Sequence, residues 1–349
     1  MEGVAPARAT APRGGRGRRG GRGVRHRRED ILDLSPRPGR EGGPDAASGA
    51  GHREETKLRI LLTGPGGLGL AILDELARAG ATGVALSRRG AAPLPPGWES
   101  VRADLTEPGT LRGVCAGCDV VLHLAAVTHS NRPGEYDRVN VGGTRHLLDE
   151  ARAAGVAHLV HVSSRAIDPR GGAYSRSKAA AEALVRGSGL PWTILRPAEV
   201  YGAGREGLAK VIDRARAGRW IPCVGDGRWR LSPVYLDDLV AGVLAAVRRA
   251  PEGRLYSLVG PEEISFRELV ERLGAFFGTR PPIVHLPAWA LRGAARALAL
   301  SGWRHPPLFA DQVDRLLAPK LHDLEPAATD LDYRPRPLEQ GLAALTRHP

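Results

Sequence analysis

Leu58-Arg59-Ile60-Leu61-Leu62-Thr63-Gly64-Pro65-Gly66-Gly67-Leu68-Gly69 is the stretch on which the fold turns. An apolar run of strand length, Leu58–Thr63, opens into a glycine-rich turn, and a helical pattern over Leu68–Ala79 follows it. A run this uniformly apolar reads as an inner strand of a sheet covered on both faces. Four glycines in the six positions Gly64 to Gly69 exceed the need of a plain turn. They let the backbone bend tightly and let a pyrophosphate approach amide groups at the helix N-terminus. Gly64, Gly66, Gly67, Leu68 and Gly69 are therefore candidates for holding a dinucleotide.

Downstream, strand and helix alternate at the rhythm of βα units. Strands are predicted at Val84–Ser87, Ser100–Ala103, Val120–Ala126 (apolar except His123), Leu159–Ser163 and Trp192–Leu195. Helices are predicted over Glu135–Ala154 and Tyr174–Val185. The crossover rule makes this a doubly wound parallel sheet, an α/β fold of Rossmann type. After Arg196-Pro197 the texture changes. Helices over Arg205–Ala217, Leu236–Arg248 and Ser265–Phe277 are separated by Pro/Gly-rich loops and short strands near Leu255–Leu258 and Pro282–Leu286. More helix is expected over Ala288–Leu300 and Phe309–Leu317. The reading is a nucleotide-binding domain over 57–200 and a smaller α+β substrate cap over 201–349, with some chain returning to the sheet. The weakly charged Ala288–Leu300 helix has the look of a membrane-surface or partner helix, but core packing is the expectation. No internal repeat is present.

The chemistry gathers in Tyr174-Ser175-Arg176-Ser177-Lys178, behind the serine pair Ser163-Ser164 that ends an apolar run. A Tyr and a Lys four apart share one helix face. There an ammonium can lower the pKa of a phenol, about 10 when unperturbed, so that it exchanges a proton with an alcohol. After the second strand, where an acidic residue would bind a ribose 2′-hydroxyl, stand Ser87-Arg88-Arg89. Arg88 suits a 2′-phosphate, so NADP(H) is favoured and NAD(H) remains open. Asp104-Leu105, just past the third strand, is placed to contact the adenine, with capping of the next turn as the plain alternative.

The chain has 349 residues, 42% of them hydrophobic, enough for a large core. No apolar stretch approaches the roughly 18 to 20 residues of a membrane span, and no apolar region backs the N-terminal charges as in a secretory leader. Three cysteines cannot build a disulfide framework, which fits a reducing cytoplasm. Cys115-Ala116-Gly117-Cys118 lacks a second ligand pair, so no metal is expected. Of the net charge of +12, residues 1–56 carry +4, with nine Arg in the first 28 residues set among glycines. That segment is expected to be disordered. Without aromatics for base stacking it does not point to nucleic acid. The partner expected is a small molecule, with a homodimer left open.

These ordered motifs resemble the extended short-chain dehydrogenase/reductase superfamily, in its NAD-dependent epimerase/dehydratase branch. The likeness runs over about 57–345. It takes in His123-Leu124-Ala125-Ala126, Asn140-Val141-Gly142-Gly143-Thr144, Val162-Ser163-Ser164, Leu195-Arg196-Pro197, Gly225-Asp226-Gly227, Asp237-Asp238 and Asp332-Tyr333-Arg334-Pro335. The resemblance implies Tyr174 as acid/base, Lys178 as its ribose-binding partner and Ser164 as holder of the reacting oxygen. It also implies cofactor contacts from Leu124, Ala125, Ala126 and Pro197, and substrate contacts from Thr128 and Arg230. The expected activity is 4-epimerase-like hydride and proton transfer on a sugar or nucleotide-sugar. The alternatives are an NADP(H)-dependent reductase of a small ketone or alcohol, and a non-catalytic dinucleotide-binding regulator. Three departures stand out. Gly69 falls one residue before the family's third glycine. Only about nine residues separate Ser164 from Tyr174. The family's diphosphate-binding arginine falls by strict count on Leu231, beside Arg230. Separately, Ser164-Arg165-Ala166 stands where family dehydratases resemble one another in a Thr-Asp-Glu run, which argues against dehydration.

Overall fold

The structure, a computed structural model, describes residues 57–347 except 91–92, 203–206, 302, 304–305 and 310. The expectations for residues 1–56 lie outside the described residues. Its first half is strand β1 (Arg59–Thr63), helix α1 (Gly67–Arg78), β2 (Thr82–Ser87), β3 (Trp98–Arg102), β4 (Val120–His123), a short α2 (Pro133–Tyr136), α3 (Gly143–Ala153), β5 (His158–Val162), α4 (Gly172–Arg186) and β6 (Trp192–Pro197). The second half runs β7 (Val200–Tyr201), α5 (Ala209–Arg216), β8 (Ile221–Val224), β9 (Arg230–Leu231), β10 (Val234–Tyr235), α6 (Leu236–Arg248), β11 (Arg254–Leu258), β12 (Ile264–Ser265), α7 (Phe266–Phe277), β13 (Ile283–Leu286), α8 (Ala288–Leu300), α9 (Gln312–Leu317), α10 (Glu325–Asp330) and α11 (Leu338–Arg347).

Seven strands form one parallel sheet in the order β11-β6-β5-β4-β1-β2-β3. Strand order reverses between β1 and β4, which opens a crevice at their carboxyl ends, the place where such sheets bind ligands. Alternate residues of each strand feed two cores. Ile60, Leu62 and Leu122 pack under α1 and α6 through Ile72, Leu76, Val240 and Val243. Leu61, Val121 and Leu159 pack on the other face against Leu147 and Leu148 of α3 and Val185 of α4. A third cluster, with Tyr201, Ile212, Leu231, Phe266, Leu273 and Leu342, holds the C-terminal elements.

Three local expectations need correction, and one strand of the second half joins the main sheet. Strand β4 ends at His123 rather than Ala126, because the Leu124 and Ala125 amides turn back to the Thr63 carbonyl and hydroxyl. The helix expected over Glu135–Ala154 is interrupted by a π-helical turn, Asp137–Gly142. Leu255–Leu258 belongs to the main sheet as part of β11, beside β6. Helix α8 is not a core helix: only Ala295 along it is buried.

Candidate active site

The turn after β1 is shaped by two close approaches. Gly64 has φ +80°, and a Cβ there would lie 2.8 Å from the Ala125 backbone. A Cβ on Gly69 would lie 2.2 Å from the Gly64 carbonyl oxygen, so helix α1 can sit against the turn only without a side chain. Gly66 differs: its Cβ direction is open, and the first turn of α1 (Gly67, Leu68) presents amides beside that space. That combination fits a pyrophosphate against a helix N-terminus. The loop Leu124–Ala126, half-buried, forms the other wall of the crevice.

A buried relay fixes that loop. The Ala125 amide donates to Thr63 Oγ1 (3.3 Å), and Thr63 pairs with His123 Nδ1 at 2.7 Å. His123 Nε2 meets Thr144 Oγ1 at 3.0 Å, and the Thr144 hydroxyl donates to the Asn140 carbonyl (2.7 Å). The direction of that last bond leaves Thr144 Oγ1 as acceptor, so His123 carries its proton on Nε2 and accepts from Thr63. Burial, reinforced by the charge of Lys178, pulls His123 down to about 3, which keeps it neutral. Asn140 itself lies in the π turn, a device common at functional sites. Its side chain clamps Val127 through both amide groups (2.8 and 3.0 Å) and reaches Ser177 of α4 at 3.0 Å. Asn140 thus ties the cofactor-side loop to the helix that carries the tyrosine.

Tyr174, Ser177 and Lys178 are buried in α4. Burial pushes the Tyr174 phenol above its ordinary value. The Arg315 guanidinium and a hydrogen bond from Ser164 pull it back, and Asp311 adds to the rise. Ser164 is held by the Ala166 amide at 3.1 Å. Lys178 donates to the Val162 carbonyl at 3.0 Å, and burial brings its ammonium down to about 8 against the opposing pull of Glu182. Glu182 is in turn gripped by Arg196 through both carboxylate oxygens (2.8 and 2.7 Å).

From the C-terminal segment, Arg315 lies over the Tyr174 ring, 4.6 Å from its centroid, and donates to the Thr128 carbonyl at 2.8 Å. Asp311 accepts from the Tyr174 amide (3.3 Å) and from the Tyr136 hydroxyl (3.2 Å), while Tyr136 meets Tyr174 edge-on at 6.0 Å. The sequence does not mark Tyr136, Asn140, Asp311 or Arg315 as site residues: Asn140 belongs to the run Asn140–Thr144, and the others carry no local signal.

The remaining candidates are dispersed. Pro197 ends β6, and its carbonyl accepts from the Arg165 amide at 3.1 Å, close to Ser164. Arg88 is exposed just past β2. Burial alone would raise the Asp104 carboxyl, yet hydrogen bonds from Thr106 with the charges of Arg88 and Arg138 hold it below its ordinary value. Asp104 therefore caps the turn as well as standing near Arg88, and the Leu105 side chain is buried in the core. Thr128 is exposed at the mouth. Arg230 does not reach the tyrosine cluster by any contact: its guanidinium donates to the Glu263 carbonyl (2.8 Å) and pairs with the Glu263 carboxylate, and its side chain is 52% exposed. Its neighbour Leu231 is the residue turned into the core. Arg165, where dehydratases resemble one another in an acid, is buried between Ser232 (2.6 Å) and Glu199 (2.8 Å). Cys115 and Cys118 are free and buried, with Cys115 pushed up to about 12 by burial.

Comparison with known proteins adds the family. Residues 60–258 match the model of the NAD dependent epimerase/dehydratase family. A 4-hydroxy-2-methyl-3-oxo-4-farnesyl-3,4-dihydroquinoline-1-oxide ketoreductase of Stigmatella aurantiaca is 31% identical over 275 residues, 71% of this chain and 81% of that protein. A 2-alkyl-3-oxoalkanoate reductase of Stenotrophomonas maltophilia is 30% identical over 328 residues, 82% of this chain and 98% of that protein. The same fold occurs in a dTDP-glucose 4,6-dehydratase from Streptomyces venezuelae solved with NAD bound, with TM-score 0.66, 23% identity, and 83% of this chain and 96% of that one covered. The chain belongs to the NAD dependent epimerase/dehydratase family and is an NAD(P)-dependent enzyme of the extended short-chain dehydrogenase/reductase type.

Proposed function

We propose that this enzyme is an NADP(H)-dependent reductase of a ketone borne on an uncharged or largely apolar molecule. The observation that carries the reading is Arg230, bonded to Glu263 and turned outward while Leu231 faces the core. A nucleotide-sugar enzyme needs cations on the diphosphate, and a strand's two-residue period puts the arginine on the wrong side here. The two relatives named for ketone reduction support it. A dehydration is disfavoured by Arg165 standing where an acid is required.

When bound, the dinucleotide supplies the hydride. The chain's own groups handle the oxygen. Ser164 hydrogen-bonds the carbonyl oxygen, and Tyr174 gives its phenolic proton to that oxygen as the carbon is reduced. Lys178, anchored on Val162, faces the cofactor side, and Arg315 offsets the phenolate charge left behind. Asn140 and the His123 relay hold the crevice wall in place. The intact Tyr174–Lys178 pair weighs against a non-catalytic regulator.

The epimerase expectation uses the same Ser164, Tyr174 and Lys178, so the test must separate net reduction from isomerisation. Purified protein is expected to consume NADPH in proportion to a hydrophobic ketone, and Arg230→Ala is expected to leave KM unchanged. Conversion of a nucleotide-sugar without net NADPH change, with KM raised tenfold or more by Arg230→Ala, would replace this reading with the epimerase.

A further inference from the structure

Helix α8 presents its apolar residues to the outside. Trp289 is 77% exposed and Leu300 is 90% exposed. They are eleven residues apart, which at 100° per residue brings them within about 20° of one another on the helix. Gly293 and Arg296 fall on the same stripe and are also exposed. The stripe therefore reads Trp-Gly-Arg-Leu over roughly 16 Å of helix. Ala288–Leu300 contains two arginines and no acidic residue. The inner side is held elsewhere: Ala295 is buried, and Arg292 donates to Asp314 at 2.7 Å. Asp314 neighbours Arg315, the residue lying on Tyr174, so α8 stands one short helix away from the catalytic tyrosine.

We propose that this outward stripe of α8 seats the enzyme on an anionic lipid surface. Tryptophan and leucine would enter the interfacial layer while Arg296 meets the headgroups. An exposed Trp/Leu face edged by arginine and free of acids has the chemistry of an interfacial helix. Arg296, exposed on this face with no acidic residue in Ala288–Leu300, selects an anionic over a neutral surface. The inference stands on this face and not on the reductase reading.

The test is sedimentation of the full chain with vesicles of phosphatidylcholine containing phosphatidylglycerol. The protein is expected to pellet with them, Trp289→Ser/Leu300→Ser to lower the partition coefficient at least tenfold, and Arg296→Glu to lower it several-fold. The double variant should keep its NADPH-dependent turnover of a water-soluble ketone in vesicle-free buffer, which shows that it is folded. Failure of that turnover in the parent as well would count against the reductase reading alone. Three results would overturn the lipid proposal: no binding by the parent; equal binding by the double variant, which would assign attachment to the arginine-rich first 28 residues; or a parental dimer that the double variant dissociates without vesicles, which would make the stripe a contact between copies.

Discussion

Two cations neighbour Tyr174, one from its own helix and one from the far end of the chain, and of the two it is Arg315 that lowers the phenol. Lys178 comes from the same helix, one turn on. Its ammonium is committed to the Val162 carbonyl, and burial has brought it down to about 8. Arg315 comes from α9 and lies on the ring face, bonded to the Thr128 carbonyl at the mouth of the site. The two groups also differ chemically. A buried lysine loses its charge readily, whereas a guanidinium keeps it at every pH the protein survives. The arginine is therefore the charge that persists over the phenol. The Tyr174 phenol is thus tuned by the distant cation, whose charge does not depend on pH, while the local one is spent on the Val162 carbonyl.

The largest effect comes from removing the phenol itself. Tyr174→Phe keeps the ring beneath Arg315 and beside Tyr136 but deletes the proton. Turnover is expected to fall by about 10²–10⁴-fold, with cofactor affinity, read by fluorescence titration, unchanged. Turnover within a few-fold of the parent would detach both cations from the chemistry.

Arg315→Leu separates the two cations. Arg315 is the strongest influence lowering a phenol that burial raises, so its removal moves the Tyr174 pKa further up. Alcohol oxidation needs the phenolate, which becomes scarcer at any pH below both values. Every tenfold gain in the phenol's hold on its proton costs tenfold in that fraction. The oxidation rate at pH 8 is therefore expected to drop about tenfold and its rising limb to move to higher pH, while ketone reduction, which needs the protonated phenol, persists to higher pH. Parallel pH–rate profiles for parent and variant would assign the tuning to Lys178 instead.

The same contrast explains what could be read from the chain alone. The sheet, the glycine turn and the Ser164–Tyr174–Lys178 set are encoded at short spacings: strand period, helix period, four residues on one helix face. Asp311 meets the Tyr174 amide across 137 residues, and the His123 relay joins residues 60 and 21 positions apart. Contacts of that range have no periodic signature. Arg230 shows the other limit. A count of residues could not choose between it and Leu231, because only the register of β9 against β12, with Leu231 opposite Ile264, decides which side chain turns inward. Helix α8 misled for a related reason: its apolar content suggested burial, while tertiary packing left its Trp289–Leu300 stripe outside.

The smallest expected effect lies at the far end of the crevice, where no burial amplifies charge. Arg88 is exposed beyond β2, its carbonyl is held by Arg102 at 3.2 Å, and its charge helps hold the Asp104 carboxyl below its ordinary value. An exposed ion pair contributes only about 0–1 kcal/mol. A 2′-phosphate carries up to two charges, however, and a guanidinium binds it with two hydrogen bonds. A preference for NADPH over NADH of about five- to tenfold is the expectation, on the order of 1 kcal/mol. Arg88→Asp should reverse it, because the new carboxylate repels the phosphate and accepts from a free ribose hydroxyl. Unlike the effect of Arg315→Leu, this one should shrink when salt is raised from about 0.05 to about 0.5 M, since mobile ions screen an exposed charge and not one lying on a buried ring. Equal Kd values for the two cofactors in the parent, unmoved by Arg88→Asp, would show that the residue after β2 plays no part in the choice.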